Sequence, residues 1–353
     1  MRASLLQYLA CPACHGELSL AAQPQATGVN GNLRCVPCRR SYPIVEGVPR
    51  FAGEGHVQAQ DETVRTRRTY NFTWRRFGRR EIERRWEKDS YQYDALIPRG
   101  LVSGTGKVGL DAGCGGGADL VRLAAGGAEL IGFDLSDGVD VAAELAQGLA
   151  NVHVVQGDLS SPPFTAGVFD FIYSFGVLHH LSDPQAGFIN LAKLLKPGAP
   201  LITYLYEDFS DRSRFEQTLL GAVRGVRQVT SRLAPRWLYV LCWLLTPVVW
   251  SLCSVPAWVL RRCGASLAER MPFRHTLRWT VIASDLFDRF APPVEWRVSQ
   301  QQVLRLYEAA GLEHVEIRRY RGWVSWGFKP VGGSVVDAQQ HGSDYEEIAR
   351  TAC

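Results

Sequence analysis

The stretch Val108-Gly109-Leu110-Asp111-Ala112-Gly113-Cys114-Gly115-Gly116-Gly117 decides the fold. Residues 107–111 read as a buried strand, and the glycines after them lead directly into a helical stretch at 118–125. Such a loop needs glycine because the backbone must turn sharply and admit a ligand to contact distance of main-chain atoms. The spacing is Gly-x-Gly-x-Gly, and Asp111 ends the strand before it. A carboxylate there suits a cationic or amino-bearing ligand better than a pyrophosphate, which calls for donors and no neighbouring anion. That disfavours a nicotinamide dinucleotide.

Outward from the loop, strands and helices alternate. Residues 107–111, 129–134, 152–156, 169–174 and 200–205 read as strands, and 118–125, 139–149 and 184–195 as helices, with Lys196-Pro197-Gly198 as a helix stop. Alternation of this kind predicts an α/β fold with a doubly wound, mostly parallel, Rossmann-like sheet.

Four further segments stand in order along this region: Ile131-Gly132-Phe133-Asp134, Gln156-Gly157-Asp158-Leu159, residues 169–181 ending in Leu178-His179-His180-Leu181, and Leu194-Leu195-Lys196-Pro197-Gly198-Ala199. Together with the glycine loop, the region resembles class I S-adenosylmethionine-dependent methyltransferases of the small-molecule branch. The resemblance implies that Asp134 bonds the two ribose hydroxyls of S-adenosylmethionine and that Asp158 accepts from the adenine amino group. It places Asp111, Gly113, Gly115, Gly117, Leu159 and Ser174 in the same cofactor-binding set. Read from the residues alone, Asp158 serves equally as a turn or cap residue. The Asn/Asp-Pro-Pro-Tyr loop of many amino-group methyltransferases is missing, and Ser174-Phe175-Gly176-Val177 occupies its place. His179 and His180 are the candidate catalytic residues, as a base; packing or capping would explain them equally.

At the N-terminus, Cys11-Pro-Ala-Cys14 and Cys35-Val-Pro-Cys38 enclose a turn-rich stretch. Each pair forms a knuckle that aims two thiolates at one point, and two knuckles close a tetrahedron around a structural zinc ion. A redox dithiol would instead want one pair near a βαβ unit. With residues 42–51, Tyr-Pro-Ile-Val-Glu-Gly-Val-Pro-Arg-Phe, the segment resembles the zinc-ribbon family that activates RNA and protein methyltransferases and is also found fused to them. The resemblance implies a supporting part, not a catalytic one.

The expected organisation is therefore a zinc ribbon at 1–52, a helical linker or lid at 53–100, the cofactor half of the methyltransferase core at 101–206, a helical apolar insertion at 207–298, a closing helix and hairpin at 299–330, and a tail at 331–353. In the second segment 53–60 reads as linker and 63–93 as helix. There Arg75, Arg76, Arg79, Arg80, Arg84 and Arg85 alternate with Glu81, Glu83 and Glu87 as a solvated face. Tyr70, Phe72, Trp74 and Phe77 serve either as a lid on the cofactor or as core.

Residues 237–260 carry no charge and are flanked by Arg224, Arg227, Arg232 and Arg236 on one side and Arg261, Arg262, Arg270 and Arg274 on the other. The length suffices to cross a bilayer. A single crossing would strand the closing hairpin away from its sheet, and basic flanks at both ends belong on the same face. Two readings remain: an interfacial or re-entrant hairpin broken near Pro247 and Pro256, or a buried cap over an apolar pocket.

Hydrophobic residues make up 46% of the 353-residue chain and charged residues 21%, which excludes a disordered or polytopic membrane protein. The net charge of +4 does not favour nucleic acid. Nine scattered or paired cysteines fit a reducing compartment, and the apolar run at 5–10 is too short for a signal peptide. The expected activity is methylation of an O or C atom of a small, lipophilic or carrier-linked acceptor in the cytoplasm, peripheral or monotopic at an anionic membrane surface. The alternatives are a tRNA, rRNA or protein methyltransferase and a non-catalytic binding module.

Overall fold

The computed structural model describes residues 1–21, 30–52, 61–86, 96–274 and 276–332. The chain forms two compact units, Met1–Asp208 with the segment from Val294 onward, and Phe209–Pro293. The expected linker at 53–60 and nearly all of the expected tail lie outside the described residues.

The first unit holds two sheets. The ribbon is a four-stranded antiparallel sheet of β1 (Leu18–Leu20), β2 (Gly31–Cys35), β3 (Ser41–Val45) and β4 (Val48–Pro49). After it comes helix α1 (Asp61–Trp86). The main sheet contains β5 (Val108–Ala112), β6 (Glu129–Asp134), β7 (Val152–Gln156), β8 (Phe171–Phe175), β9 (Pro200–Leu205), β10 (Glu313–Arg319) and β11 (Trp323–Phe328), in the order β10-β11-β9-β8-β5-β6-β7. The five strands from β9 to β7 are parallel, and β11 and β10 add antiparallel. Three strands thus match their sequence-predicted ranges.

The parallel strands are buried on both faces, so alternate side chains feed two cores. Ile131, Phe133, Val155, Ile172 and Leu201 pack with Phe188 and Leu191 of α4 (Pro184–Leu194) and Tyr307 of α9 (Gln300–Ala309). Leu130, Val154, Phe171 and Ile202 pack on the other face with Leu120 of α2 (Ala118–Ala124) and Ala142 of α3 (Gly138–Leu145). Strand β8 begins two residues later than expected; just before it the Asp170 carboxylate accepts from Val108 N and Lys196 Nζ, both at 2.8 Å, so a side chain takes the Val108 N–H in place of a backbone carbonyl.

The ribbon is continuous with this architecture. Its Leu5, Leu9, Tyr42 and Phe51 belong to the same cluster as Phe133 and Phe164. Phe51 N donates to Gln156 O (2.8 Å), Ala10 N to Pro163 O (3.0 Å) and Thr165 N to Tyr8 O (2.9 Å). Arg50 pairs with Asp140, and Tyr8 OH donates to Glu129 Oε2 (2.9 Å). The chain after β4 therefore pairs with the carboxyl end of the free edge of β7, at Gln156, where backbone groups would otherwise stand unpaired.

The second unit is helical. It comprises α5 (Arg214–Thr230), opened by a Ser213/Glu216 capping box, then α6 (Pro235–Val249), α7 (Val255–Arg262) and α8 (Trp279–Phe290). A wide turn, Trp250–Ser254, joins α6 to α7 without interruption, giving a 28-residue rod from Pro235 to Arg262. The expected break at Pro247 and Pro256 does not occur. The wide turn lies between the two prolines and shifts the hydrogen-bond register there, so the helix continues past both. The reversal comes instead at Gly264, in a left-handed conformation, with Ala265 N on Leu260 O (2.9 Å). The chain then returns, tied by Ser254 Oγ on Phe273 O (3.0 Å), Trp250 Nε1 on Leu277 O (3.1 Å) and Thr230 Oγ1 on Phe290 O (2.9 Å). Of the most apolar window of the rod, 22% is buried.

Candidate active site

Strands β5 and β8 lie side by side but lead to opposite halves of the sheet, and a crevice outside their carboxyl ends follows from that topology. The loop after β5 enters it. Gly113 takes φ +89°, and its N–H donates to Phe133 O at 2.7 Å; a methyl group there would come 2.2 Å from Val177. Gly115 is also left-handed, and its N–H donates to Asp134 Oδ2 at 2.9 Å. Gly117 stands at the N-terminus of α2. The loop is thus stitched to the end of β6, and a side chain on Gly113 or Gly115 would run into Val177 or Trp74.

Asp134 is held from both sides, since Oδ1 also accepts from Ser136 N (2.7 Å) and Ser136 Oγ (2.6 Å). Burial raises its pKa above the ordinary carboxylate value, against the lowering effect of the Ser136 and Gly115 donors. Asp111 is buried within β5, level with Gly132 and Tyr173 on the flanking strands. Asp158 Oδ1 accepts from Ser160 N (2.8 Å), a local turn. Leu159 packs in the core beside Phe133. Ser174 is fully buried, and its hydroxyl donates to Ala112 O at 2.8 Å, joining β8 to β5.

Helix α1 crosses over this loop. Asn71 Oδ1 accepts from Asp137 N (2.8 Å), Arg75 pairs with Asp137 (2.6 Å), and the indole of Trp74 borders both Gly115 and Gly138. Of the aromatic residues Tyr70, Phe72, Trp74 and Phe77, it is Trp74 that lies against the glycine loop. The side chains of 79–86, and with them most of the expected Arg/Glu face, lie outside what is described.

Next to the loop stands an aromatic wall. The His179 ring lies 4.0 Å from Tyr206 and 4.3 Å from His180, and Tyr70 meets His180 edge-on at 5.7 Å. Tyr173, Phe175 and Tyr204 stack in series. His180 Nδ1 lies 2.7 Å from Val294 O, so it carries the proton and leaves Nε2 as the basic nitrogen. Trp296 donates to His179 O (2.8 Å) and Leu181 O (2.9 Å) and fixes the turn that carries both histidines. Tyr206 and Trp296 escape sequence reasoning. Tyr206 follows β9 as Tyr-x-Tyr, a legible signal, whereas Trp296 returns after the whole insertion and carries none.

In the ribbon, the sulfur atoms of Cys11, Cys14, Cys35 and Cys38 all lie within 4.8 Å of one another, with Cys11–Cys38 at 3.6 Å and Cys14–Cys35 at 3.4 Å. A zinc tetrathiolate with bonds of about 2.3 Å has sulfur–sulfur edges of about 3.8 Å, so the four residues fit that ion.

Residues 110–203 match the family described as a methyltransferase domain, and residues 2–47 the family described as Trm112p-like protein. A protein named ubiquinone biosynthesis O-methyltransferase from Aromatoleum aromaticum is 33% identical over 141 residues, 37% of this chain and 54% of that protein. One of the same name from Coxiella burnetii is 40% identical over 126 residues, 35% of this chain and 51% of that protein. The matched region thus spans about half the length of these curated relatives. Among solved structures, a complex of the Haloferax volcanii Trm112 methyltransferase activator with a methyltransferase is 16% identical, with a TM-score of 0.44 over 76% of this chain and 99% of that one.

Proposed function

We propose that this chain, a methyltransferase-domain protein with a Trm112p-like ribbon at its N-terminus, transfers a methyl group from S-adenosylmethionine to an oxygen or carbon atom of a small, lipophilic acceptor. The observation that carries the reading is the array of Asp111, Gly113, Gly115 and Asp134 at the carboxyl ends of β5 and β6, within the matched domain. Its chemistry suits that cofactor: a buried carboxylate for an ammonium group, a side-chain-free turn for close approach, and an oriented carboxylate for hydroxyls.

S-adenosylmethionine, when bound, supplies a methyl group on an already electrophilic sulfonium. What remains for the protein is to align the acceptor and remove its proton. The wall of Tyr70, Tyr206 and His179 orders an aromatic or apolar acceptor, and His180 Nε2 takes the proton of its hydroxyl. The O-methyltransferase names of the curated relatives support an oxygen acceptor. The ribbon serves its own core, since its contacts are spent on the β7 edge of the same chain.

The test is to incubate the purified chain with labelled S-adenosylmethionine and a cell extract. Label is expected in the organic-soluble fraction, and the Asp134→Ala variant should reduce it sharply at sub-saturating cofactor. Label in RNA or protein would reject a small acceptor. Intact cofactor binding without label in any fraction would reject catalysis.

A further inference from the structure

The helical rod of the second unit is inside out. Its buried positions are Leu238, Cys242, Thr246, Ser254 and Ala257, four of them small or polar, and Thr246 and Ser254 spend their hydroxyls on Cys242 O (2.8 Å) and Phe273 O (3.0 Å). Its outer face carries Trp237, Val240, Leu244, Val248, Leu252 and Val259, with Leu244 70% and Leu252 68% exposed. A helix in a water-soluble protein turns these faces the other way. The amphipathic helix α5 repeats the pattern, leaving Phe215, Leu219, Val226 and Val229 exposed along one stripe.

Charge names what covers this surface. Residues 209–293 hold twelve arginines, no lysine and five acidic residues, a formal +7 in a chain whose total is +4, so the rest of the chain is −3. The apolar face is bracketed by two Arg–Trp pairs. Arg236 lies over Trp237 (5.4 Å) at the start of the rod, and Arg262 over Trp258 (4.1 Å) at its end. Tryptophan at a water–hydrocarbon boundary, with an arginine head beside it, suits the headgroup layer of a bilayer.

We propose that the second unit docks in the plane of an anionic membrane, laying the outer face of the rod into one leaflet with arginines at both ends on phosphate. A spanning arrangement fits poorly. On the return leg the described residues between Gly264 and Arg278 form no α-helix, the segment carries Arg274 and Arg278, and Leu277 is level with Trp250 at mid-rod; irregular backbone is not tolerated against lipid at that depth. Helix α8 also exposes Asp288 and Arg289. In-plane docking keeps those groups in water. The inference rests on the second unit alone and stands apart from the acceptor assignment, although it brings the enzyme to where lipophilic acceptors reside.

The test is flotation of the full chain with vesicles of phosphatidylcholine alone and of equal parts phosphatidylcholine and phosphatidylglycerol. Binding is expected to the anionic vesicles and to fall by about tenfold or more in the Leu244→Glu/Leu252→Glu variant. The Arg261→Glu/Arg262→Glu variant should lose the preference for phosphatidylglycerol. Both replace surface side chains, and cofactor titration checks that the first unit is intact. Failure of the intact chain to float with either vesicle overturns the proposal. So does a lipid-free dimer that Leu244→Glu disperses, which would make the face a contact between copies. Resistance to alkaline carbonate extraction would overturn the in-plane arrangement.

Discussion

The indole of Trp74 lies against Gly115, so close that a methyl group built on that glycine would come 2.2 Å from Trp74 Cζ2. A ligand that reaches the backbone of the loop therefore meets this ring. Cofactor binding should change the intrinsic fluorescence of the protein, and Trp74→Phe should remove most of that change. Trp74→Ala should weaken binding by about 1–2 kcal/mol through lost ring contact. Equal affinity and an unaltered fluorescence response in both variants would exclude a lid role for α1.

Asp134→Ala should weaken cofactor binding by about 1.5–3 kcal/mol, the scale of a charge-assisted hydrogen bond. Because ligand hydroxyls favour the charged carboxylate while burial holds its pKa up, affinity should decline as pH falls through that raised value. Calorimetry over an acidic pH series reads the slope, and a flat profile would remove Asp134 from the ligand contacts.

His180→Asn keeps a donor for Val294 O but supplies no base. Turnover should drop by about 10²–10⁴, the acid limb of the pH–rate profile should disappear, and cofactor affinity should hold. Unchanged turnover would leave His180 as a packing residue.

His153 sits buried beside Glu129, 2.9 Å away, and its pKa is lowered, chiefly by burial, against the raising effect of Glu129. A histidine depressed in the folded state contributes stability above its unfolded pKa, and that contribution is lost as pH falls through the folded value. Thermal stability should therefore decrease on acidification below about pH 6.5, and His153→Gln should flatten this part of the profile. A melting curve that the substitution leaves unaltered at every pH would refute the assignment.

Cys35→Ser should abolish zinc binding, read by elemental analysis. Since the ribbon shares its apolar cluster with Phe133 and Phe164, the loss should also lower the melting temperature of the whole unit by roughly 5 °C or more, the effect of about 2 kcal/mol at this size. Two separate transitions, with the sheet melting as before, would show that the ribbon is an independent body.

The parts legible in the sequence are those where local chemistry and tertiary demand coincide. Strands buried on both faces read as unbroken apolar runs, so Glu129–Asp134 and Pro200–Leu205 fall where expected. The glycine loop reads from its own backbone needs, and the four cysteines from ligand spacing. Ser174 shows the opposite case. It closes the expected strand, and its hydroxyl donates to Ala112 O, a partner on a neighbouring strand that its own sequence surroundings do not name. Pro247 and Pro256 misled for a related reason. Proline predicts a break from its immediate surroundings, whereas the wide turn between them is a cooperative adjustment of the helix. Trp296 reaches the histidine turn only after the whole insertion has been traversed.

The coverage of the β7 edge by the chain after β4 also has a consequence during synthesis. The ribbon leaves the ribosome before the strand it will shield, at about 5–20 residues per second. A nascent chain whose four cysteines had captured a metal would offer the newly made edge a partner at once. Under metal starvation that edge would emerge bare, and exposed strand edges recruit one another. Scarcity of zinc would then show itself as insoluble protein, rather than as soluble enzyme of reduced activity.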